Sequence, residues 1–179
     1  MLVSDFDYFL PNELIAQTAV EPRDQAKLLV YNRTNELVEH RHVFDLIDYL
    51  ESGDVLVVNN SKVFPARLFG KRQSSNAEVE VFLVHQIDDC KNCWQVLLKM
   101  NRPKKDDIIV FGSDFSCRLN KTDGISGAWE VEFSVNGNFW EKVNSYGKTP
   151  LPPYIHQDDS NQIRQRYQTV YAKESGSVA

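Results

Sequence analysis

Six short extended runs follow one another in the middle of the chain, and no helical pattern separates them. Apolar and polar residues alternate along them, most clearly at 78–81 (EVEV) and 129–133 (WEVEF), which is typical of strands with one buried face. Residues that favour turns stand between the runs, as at 112–114 and 123–124. The runs cover residues 63–71, 77–87, 94–100, 108–111, 115–121 and 128–135. Because successive strands without intervening helices pair with one another, the sequence predicts a small, closed or nearly closed six-stranded β-barrel.

The composition is typical of a globular protein outside the membrane. The chain has 179 residues, of which 42% are hydrophobic, and this is enough to bury a core. No stretch reaches the roughly 20 apolar residues of a membrane span, and the acidic start, with Asp5 and Asp7, lacks the positive region of a signal peptide. We therefore expect a cytoplasmic protein without membrane contact. The net charge of −5 argues against nucleic-acid binding through an overall positive field, but it allows a local basic patch.

A cluster of hydrogen-bonding side chains follows an apolar run just before the barrel region. Residues 55–58 (VLVV) predict a strand that is buried on both faces, as in a sheet covered by helices. Asn59, Asn60, Ser61 and Lys62 come at its carboxyl end, where ligands bind in open α/β sheets. A turn between two strands explains the same residues, because Asn and Ser are common in turns. The residues alone leave both interpretations open.

Residues 59–68 (NNSKVFPARL) resemble a known enzyme signature. The segment is similar to N-N/D-T-R-V-I/L-P-A-R-L in the S-adenosylmethionine:tRNA ribosyltransferase-isomerases, which make epoxyqueuosine in tRNA. Ser61 replaces the usual Thr, and Lys62 replaces the usual Arg. The planar guanidinium of Arg, which can donate two parallel hydrogen bonds, is thereby replaced by an ammonium group that acts as a point charge. Three further segments resemble the family in the same order: residues 5–17 (DFDYFLPNELIAQ), 151–155 (LPPYI) and 166–172 (RYQTVYA).

The resemblance implies a domain organisation. The family has an α/β domain into which a β-barrel is inserted. We therefore expect a mixed α/β layer from residues 1–62 and 136–179, and an all-β barrel domain from residues 63–135. The family pattern continues past Ala179 into A-P-T-A-G-L-H-F, so we expect an amino-terminal half with an incomplete α/β domain. The resemblance leaves open whether such a half is active by itself.

The resemblance also implies a reaction. The family transfers and isomerises the ribosyl moiety of S-adenosylmethionine onto the 7-aminomethyl-7-deazaguanine of tRNA, and adenine and methionine are released. The expected partners are tRNA and S-adenosylmethionine, the latter as a co-substrate and with no prosthetic group, and the expected full-length state is a monomer. The chemistry needs a base beside the sulfonium, an acid that helps adenine leave and a neutral amine. The sequence does not identify the catalytic base.

Nine residues are candidate substrate contacts under this hypothesis. Lys62 suits the methionine carboxylate or a phosphate, and Arg67 suits the tRNA backbone. Tyr154 or Tyr167 suits stacking on adenine or on the target base. The candidates are Asn60, Ser61, Lys62, Arg67, Tyr154, Arg166, Tyr167, Gln168 and Tyr171.

Two basic clusters are candidate tRNA contacts. Exposed turns often carry such charges, and this is the alternative explanation of both clusters. A second hypothesis for the function of the chain is a non-enzymatic β-barrel module that binds RNA or another partner. A third is a remnant that is stable only with a missing partner segment. The candidate tRNA contacts are Lys71, Arg72, Lys99, Arg102, Lys104 and Lys105.

Cys90 and Cys93 form a C-x2-C pair, which occurs in zinc and redox sites. A structural zinc site usually needs four ligands, and no second pair with suitable spacing follows. We therefore expect no metal site and free thiols in a polar loop that includes Asp89 and Lys91.

Local patterns predict the remaining elements. A hairpin is expected from residues 27–31 and 36–42, and two prolines keep residues 151–155 extended. The helix at 138–146 is expected to place Phe139, Trp140 and Val143 inward. Helical segments are predicted at 11–16, 44–50, 138–146 and 158–168.

Overall fold

The computed structural model describes residues 1–88, 90–122, 124 and 127–177, and the chain forms two compact units. One unit comprises Met1–Val58 with Pro153–Gln157, and the other comprises Asn59–Pro152 with Asp158–Ala179. Two residues expected in polar loops, Asp89 and Asp123, lie outside the described residues.

The first unit contains one β-hairpin and short 3₁₀ helices. Strand β1 (Lys27–Asn32) pairs antiparallel with β2 (Leu37–His42), so the predicted hairpin is confirmed. The Asn32 side chain accepts the Thr34 N–H at 2.9 Å and so orders the loop between them. Both helical segments predicted for this unit are present, but as 3₁₀ helices instead of α-helices. The 3₁₀ helices are Val3–Phe6, Asn12–Leu14, Arg23–Gln25 and Val43–Tyr49.

The buried strand predicted at residues 55–58 is wrong. These residues form neither helix nor strand, and Val55 is 86% exposed and Val57 89% exposed. A strand that is buried on both faces needs a pairing neighbour and a cover on each face. No described residue pairs with this run. An apolar composition indicates where burial is favourable, whereas burial itself depends on segments elsewhere in the fold.

The second unit contains the remaining strands and both α-helices. No helix in the described ranges is long and apolar enough to cross a membrane. The helices are α1 (Phe139–Tyr146) and α2 (Asn161–Arg166). The strands are β3 (Ser61–Val63), β4 (Arg67–Arg72), β5 (Glu78–Gln86), β6 (Cys93–Lys99), β7 (Ile108–Gly112), β8 (Phe115–Thr122), β9 (Trp129–Val135), β10 (Gly147–Lys148) and β11 (Glu174–Ser177).

Six of these strands form a closed β-barrel. Antiparallel neighbours follow the order β4-β5-β6-β9-β8-β7, and β7 pairs back onto β4 with Ile109 opposite Arg72. Each run predicted from alternation corresponds to one strand, so the predicted six-stranded barrel is confirmed. The short β10 pairs with the start of β4 on the edge opposite β5, with Gly147 opposite Leu68.

Apolar side chains from alternate strand positions fill the barrel. Their neighbours in sequence point outward, as the period of two requires. Burial of one such side chain contributes about 1.5–3 kcal/mol, so these positions supply most of the hydrophobic stabilisation of this unit. The largest fully buried side chains on the barrel strands are Leu68, Val81, Leu83, Val96, Ile109, Phe115, Leu119 and Val131.

Helix α1 packs on the barrel core through aromatic rings. The ring centroid of Phe139 lies 5.4 Å from that of Trp94, and Val143 is fully buried, so both are inward as predicted. Trp140 packs edge-on against Phe64 at 5.4 Å but keeps 38% exposure, because it lies at the margin of this cluster. The predicted helix at 138–146 is thus confirmed.

A layered α/β arrangement is not confirmed. Strands β3 and β11 pair in parallel as a two-stranded sheet, with Ser61 opposite Glu174. The polar helix predicted at 158–168 is shorter than expected. It begins after Ser160, whose Oγ accepts the Ile163 N–H at 3.2 Å. The described residues therefore show a β-barrel with a few helices and one small parallel pair.

Cys90 and Cys93 form a disulfide bond, which corrects the expectation of free thiols. The turn between β5 and β6 brings their Cα atoms to 5.2 Å, within the range that a disulfide needs. Cys117 is a free thiol inside the barrel, and burial raises its pKa far above the ordinary range. In the part of the chain that the structure describes, no group of three His, Cys, Asp or Glu residues could hold a metal ion.

Candidate functional site

The signature segment 59–68 contains β3 and the start of β4, and its first residues lie beside the start of β11. The Oδ1 atom of Asn59 accepts the Ser61 N–H at 2.8 Å and fixes the turn before the strand. The Asn60 carbonyl accepts the N–H groups of Lys173 at 2.7 Å and Glu174 at 3.1 Å. The polar residues of the signature are therefore held at the beginning of a parallel strand pair.

Gln168 connects the end of β3 to the chain that follows α2. Its Nε2 donates to the Val63 carbonyl at 2.7 Å, and its Oε1 accepts the Val63 N–H at 2.8 Å. These residues are 105 positions apart in the sequence, so segments 59–68 and 166–172 meet in the fold. Because the amide satisfies both backbone groups of Val63, Gln168 orders the end of β3.

The other two segments of the resemblance meet in the first unit through Gln17. Its Nε2 donates to the Tyr154 carbonyl at 2.9 Å, and its Oε1 accepts the His156 N–H at 3.0 Å. The Gln157 amide donates to the Gln17 carbonyl at 2.6 Å. These bonds fix the backbone around Tyr154 and leave its ring exposed.

Arg164 anchors α2 within the second unit. Its guanidinium donates to the carbonyls of Asn144 at 2.7 Å and Gly147 at 2.6 Å, and it pairs with Asp159 at 2.5 Å. The Thr149 hydroxyl donates to the same carboxylate at 2.6 Å. Burial raises the pKa of Asp159, but the bonds from Arg164 and Thr149 outweigh it and hold this pKa below its ordinary value. This network fixes the helix from which Tyr167 and Gln168 follow.

The role of Arg164 was not predictable from the sequence. A basic residue near a helix end is favourable through the helix dipole alone, and the pattern indicated no more than that. The partners Asn144, Gly147 and Asp159 lie 20, 17 and 5 residues away, a set with no recognisable spacing.

Acid is expected to weaken this anchor. The pKa of Asp159 lies below its ordinary value of 3.8 in the folded chain, so its stabilising contribution is complete above about pH 4 and is lost as the pH falls through the folded pKa. The free energy of unfolding is measured with urea near pH 7 and near pH 3. Between these two pH values it should fall more for the parent than for Asp159→Asn, because residue 159 of the variant does not titrate. Equal losses in the two proteins would contradict this.

The remaining substrate candidates near β3 differ in exposure. Lys62 is exposed and forms no ion pair with any described residue, whereas Ser61 is half-buried. Arg166 and Tyr167 are half-buried at the end of α2, and Tyr171 is exposed on the chain that leads to β11. Eight of the nine candidates lie in the second unit, and Tyr154 lies in the first.

Arg67 lies beside a groove on the barrel that the Phe69 ring lines. Its Nε donates to Glu80 Oε1 at 2.6 Å, and its guanidinium carbon lies 5.3 Å from the centre of the Phe69 ring. The Lys148 ammonium lies 5.2 Å from the same centre. We call this space, about 1140 Å³ in volume, the Phe69 groove. Residues that line it include Phe69, Lys71, Glu78, Glu80, Lys99 and Lys148.

Five of the six basic candidates divide into three groups. Lys71 and Lys99 are exposed side chains of the Phe69 groove. Arg102 lines a smaller adjoining cavity of about 280 Å³. Lys104 and Lys105 are exposed on the turn before β7.

Arg72 has a structural role. It pairs with Asp107 and donates to the carbonyls of Asn101 at 3.4 Å and Arg102 at 3.2 Å, which ties β4 to the turn before β7. Burial raises the pKa of Asp107, but hydrogen bonds from Arg72 and from the Lys104 N–H hold it below its ordinary value. The Arg72 guanidinium is therefore held against the turn before β7.

The sequence did not indicate that Phe69 and Lys148 line this groove. Phe69 stands between Arg67 and Lys71 in an alternating strand, and this adjacency was the available signal. Lys148 is far away in sequence and reaches Phe69 only because β10 pairs with β4.

Residues 3–179 match the sequence model of a family described as "Queuosine biosynthesis protein". The chain belongs to this family. Its relatives include proteins named S-adenosylmethionine:tRNA ribosyltransferase-isomerase from Sulfurihydrogenibium sp. (strain YO3AOP1), 43% identical over 180 residues, and from Pelotomaculum thermopropionicum, 41% identical over 181 residues. Both matches include 100% of this chain and 52% of the relative. The chain thus spans about half the length of the curated family members that it matches.

A crystal structure of S-adenosylmethionine tRNA ribosyltransferase from Thermotoga maritima is also similar in sequence, with 29% identity. The match covers 96% of this chain and 56% of that one, with a TM-score of 0.37. The family resemblance read from the signature segments is therefore confirmed by the family match along almost the whole chain.

Proposed function

We propose that this chain supplies half of an S-adenosylmethionine:tRNA ribosyltransferase-isomerase. The reaction transfers the ribosyl part of S-adenosylmethionine to the aminomethyl group of 7-aminomethyl-7-deazaguanine in tRNA and isomerises it to epoxyqueuosine, with release of adenine and methionine. The observation that carries the proposal is the contact between Gln168 and Val63. It joins two separate segments that resemble the enzyme family, and those segments contain most of the candidate substrate contacts.

In this proposal the start of β3 forms one wall of the substrate site. Lys62 binds the methionine carboxylate or a phosphate, because it is exposed and lies beside the hydrogen-bonding groups of Asn60 and Ser61. Gln168 acts as a positioning residue through its two bonds to Val63. Arg166, Tyr167, Tyr171 and Tyr154 remain candidate contacts with adenine, the ribosyl group or the target base.

The proposal includes the wider organisation of the enzyme. Residues 1–62 and 136–179 contribute to an α/β domain, into which the barrel region 63–135 is inserted. S-adenosylmethionine acts as a co-substrate, no prosthetic group takes part, and the complete enzyme works as a monomer in the cytoplasm. None of the residues named here is assigned as the general base.

Turnover tests the proposal directly. Adenine release from S-adenosylmethionine is measured with tRNA that carries the aminomethyl-deazaguanine, for this chain alone and for a version extended with the unmatched half of a relative. We expect release by the extended version. Release by this chain alone would place the catalytic groups within it, and no release by either version would overturn the proposed reaction.

Lys62→Ala is expected to lower turnover by the extended version about tenfold or more. Loss of one charge-assisted hydrogen bond to a bound anion costs about 1.5–3 kcal/mol, and a tenfold effect corresponds to 1.4 kcal/mol. Lys62→Arg should recover activity, since it restores the family's usual residue. Lys121→Ala on β8 serves as the matched control, because Lys121 is 70% exposed and lies outside the candidate contacts. Unchanged S-adenosylmethionine binding and turnover in Lys62→Ala would remove this residue from the site.

The second candidate function is a non-enzymatic RNA-binding module. The Phe69 groove favours it, because exposed lysines surround an exposed aromatic ring on the barrel. Salt-sensitive tRNA binding by the chain, together with no adenine release by the extended version, would support this function over the first.

A further inference from the structure

Phe69 is an exposed aromatic side chain in the middle of a barrel strand. Its neighbours Leu68 and Gly70 alternate with it, and Leu68 is fully buried in the barrel. Phe69 keeps 42% exposure and packs on no other aromatic ring among the described residues. The core does not explain a large aromatic residue here, since the core is filled by the opposite face of β4.

The charges around the ring favour an anion. Three exposed lysines of the groove, Lys71, Lys99 and Lys148, form no ion pair with any residue in the described ranges. Lys71 lies opposite Glu78 in the strand register, but their side chains do not pair. The other acidic residue, Glu80, is already bound to Arg67. A chain with a net charge of −5 thus has a local site where cations outnumber carboxylates.

The two cations over the ring have different freedom. Arg67 is held by Glu80 at 2.6 Å, so its position is fixed. Lys148 contacts the ring through a flexible side chain on the short strand β10. Its ammonium can therefore move from the ring to a nearby anion, which uncovers an aromatic surface beside a bound charge.

An aromatic face beside several mobile cations suits an unpaired nucleotide. Bases stack on aromatic side chains without strong sequence preference, and lysines bind the phosphates on either side. The groove, at about 1140 Å³, is large enough to hold a stacked nucleotide. A duplex keeps its bases stacked on one another and offers none to Phe69.

We propose that the Phe69 groove binds single-stranded RNA, with one base stacked on Phe69 and phosphates bound by Lys71, Lys99 and Lys148. The site is separate from the β3 site and adds a stacking residue to the basic candidates. This proposal rests on the proposed function for one point, the identity of the RNA, which would be the tRNA substrate of the enzyme. Binding by itself requires no S-adenosylmethionine.

The first test compares two apolar surface residues of the barrel. Binding of a fluorescent single-stranded oligoribonucleotide is measured by anisotropy for the parent chain, Phe69→Ala and Leu97→Ala. Leu97 is the matched control, since it is 44% exposed on β6 and does not line the groove. We expect Phe69→Ala to weaken binding by about 5- to 150-fold and Leu97→Ala to leave it unchanged. Similar affinities for both variants, or no binding by the parent, would overturn the proposal.

The second test concerns charge and strandedness. Each of Lys71→Gln, Lys99→Gln and Lys148→Gln should reduce the salt dependence of log K by about 0.7, whereas Lys121→Gln on β8 should not. A blunt duplex of the same sequence should bind more weakly and should not respond to Phe69→Ala. Equal binding of duplex and single strand would contradict the stacking site.

Separate measurements distinguish this proposal from the proposed function. Loss of RNA binding in Phe69→Ala, with no adenine release by the extended version, would support the groove and reject the reaction. Adenine release together with unchanged RNA binding in Phe69→Ala would support the reaction and reject the groove.

Discussion

Replacing Gly147 with alanine is expected to lower the melting temperature by about 6–12 °C, which corresponds to about 3 kcal/mol for a chain of this size. A Cβ atom at this position would lie 2.0 Å from the Pro65 carbonyl oxygen and 2.5 Å from that of Val143. Both atoms belong to the backbone, so no side-chain rotation relieves the overlap. The φ of Gly147 is −80°, which alanine adopts readily, and the cost is therefore steric.

The backbone shift that makes room for this Cβ atom would also reach the candidate site. Gly147 pairs with Leu68 through β10, and its carbonyl accepts a bond from Arg164 at 2.6 Å. We therefore expect Gly147→Ala to disturb α2 as well as the start of β4.

Thermal unfolding followed by circular dichroism gives the measurement. Gly127→Asn is the control, because a Cβ there meets no atom within 4 Å and Asn tolerates the positive φ of 74°. An unchanged melting temperature in Gly147→Ala would contradict this steric cost.

Replacing Arg164 with alanine is expected to cost about 2–3 kcal/mol of unfolding free energy. The change removes charge-assisted bonds to the carbonyls of Asn144 and Gly147 and leaves the Asp159 carboxylate without its cation. The Asp159 side chain is 10% exposed, and breaking a buried pair from one side costs about 3–5 kcal/mol. The 28% exposure of the arginine side chain reduces this value.

Urea unfolding at neutral pH measures the loss. Arg118→Ala serves as the control, since Arg118 is 56% exposed and lies 3.8 Å from Glu132, and it should change stability by less than about 0.5 kcal/mol. The double variant Arg164→Ala/Asp159→Asn should recover part of the loss, because no uncompensated carboxylate remains. Equal effects of Arg164→Ala and Arg118→Ala would show that α2 is held by other contacts.

The barrel was predictable from the sequence, because strand alternation is a local property. Runs such as 78–81 place every second residue on one face, and the structure buries Val79 and Val81 on that face. The hairpin β1–β2 and the helix α1 were predicted for the same reason. In each of them, the pattern that predicts the element lies within one short segment of the chain.

The errors concern elements whose partners lie elsewhere. Residues 55–58 have the composition of a buried strand, but no described residue pairs with them. The thiols of Cys90 and Cys93 have the spacing of several kinds of site, and the turn that they occupy determines that they bond to each other. Composition and spacing do not contain that information.

The sequence by itself determined the family signature, the six barrel strands and the positions of most candidate residues. The tertiary structure decided their contacts: Gln168 bonds to the backbone of Val63, Arg72 pairs with Asp107, and Arg67 lies over the Phe69 ring. A residue's type and its local period are properties of the chain, and they are readable from it. The partner that a polar side chain finds depends on how distant segments pack, because a hydrogen bond requires two groups within about 3 Å.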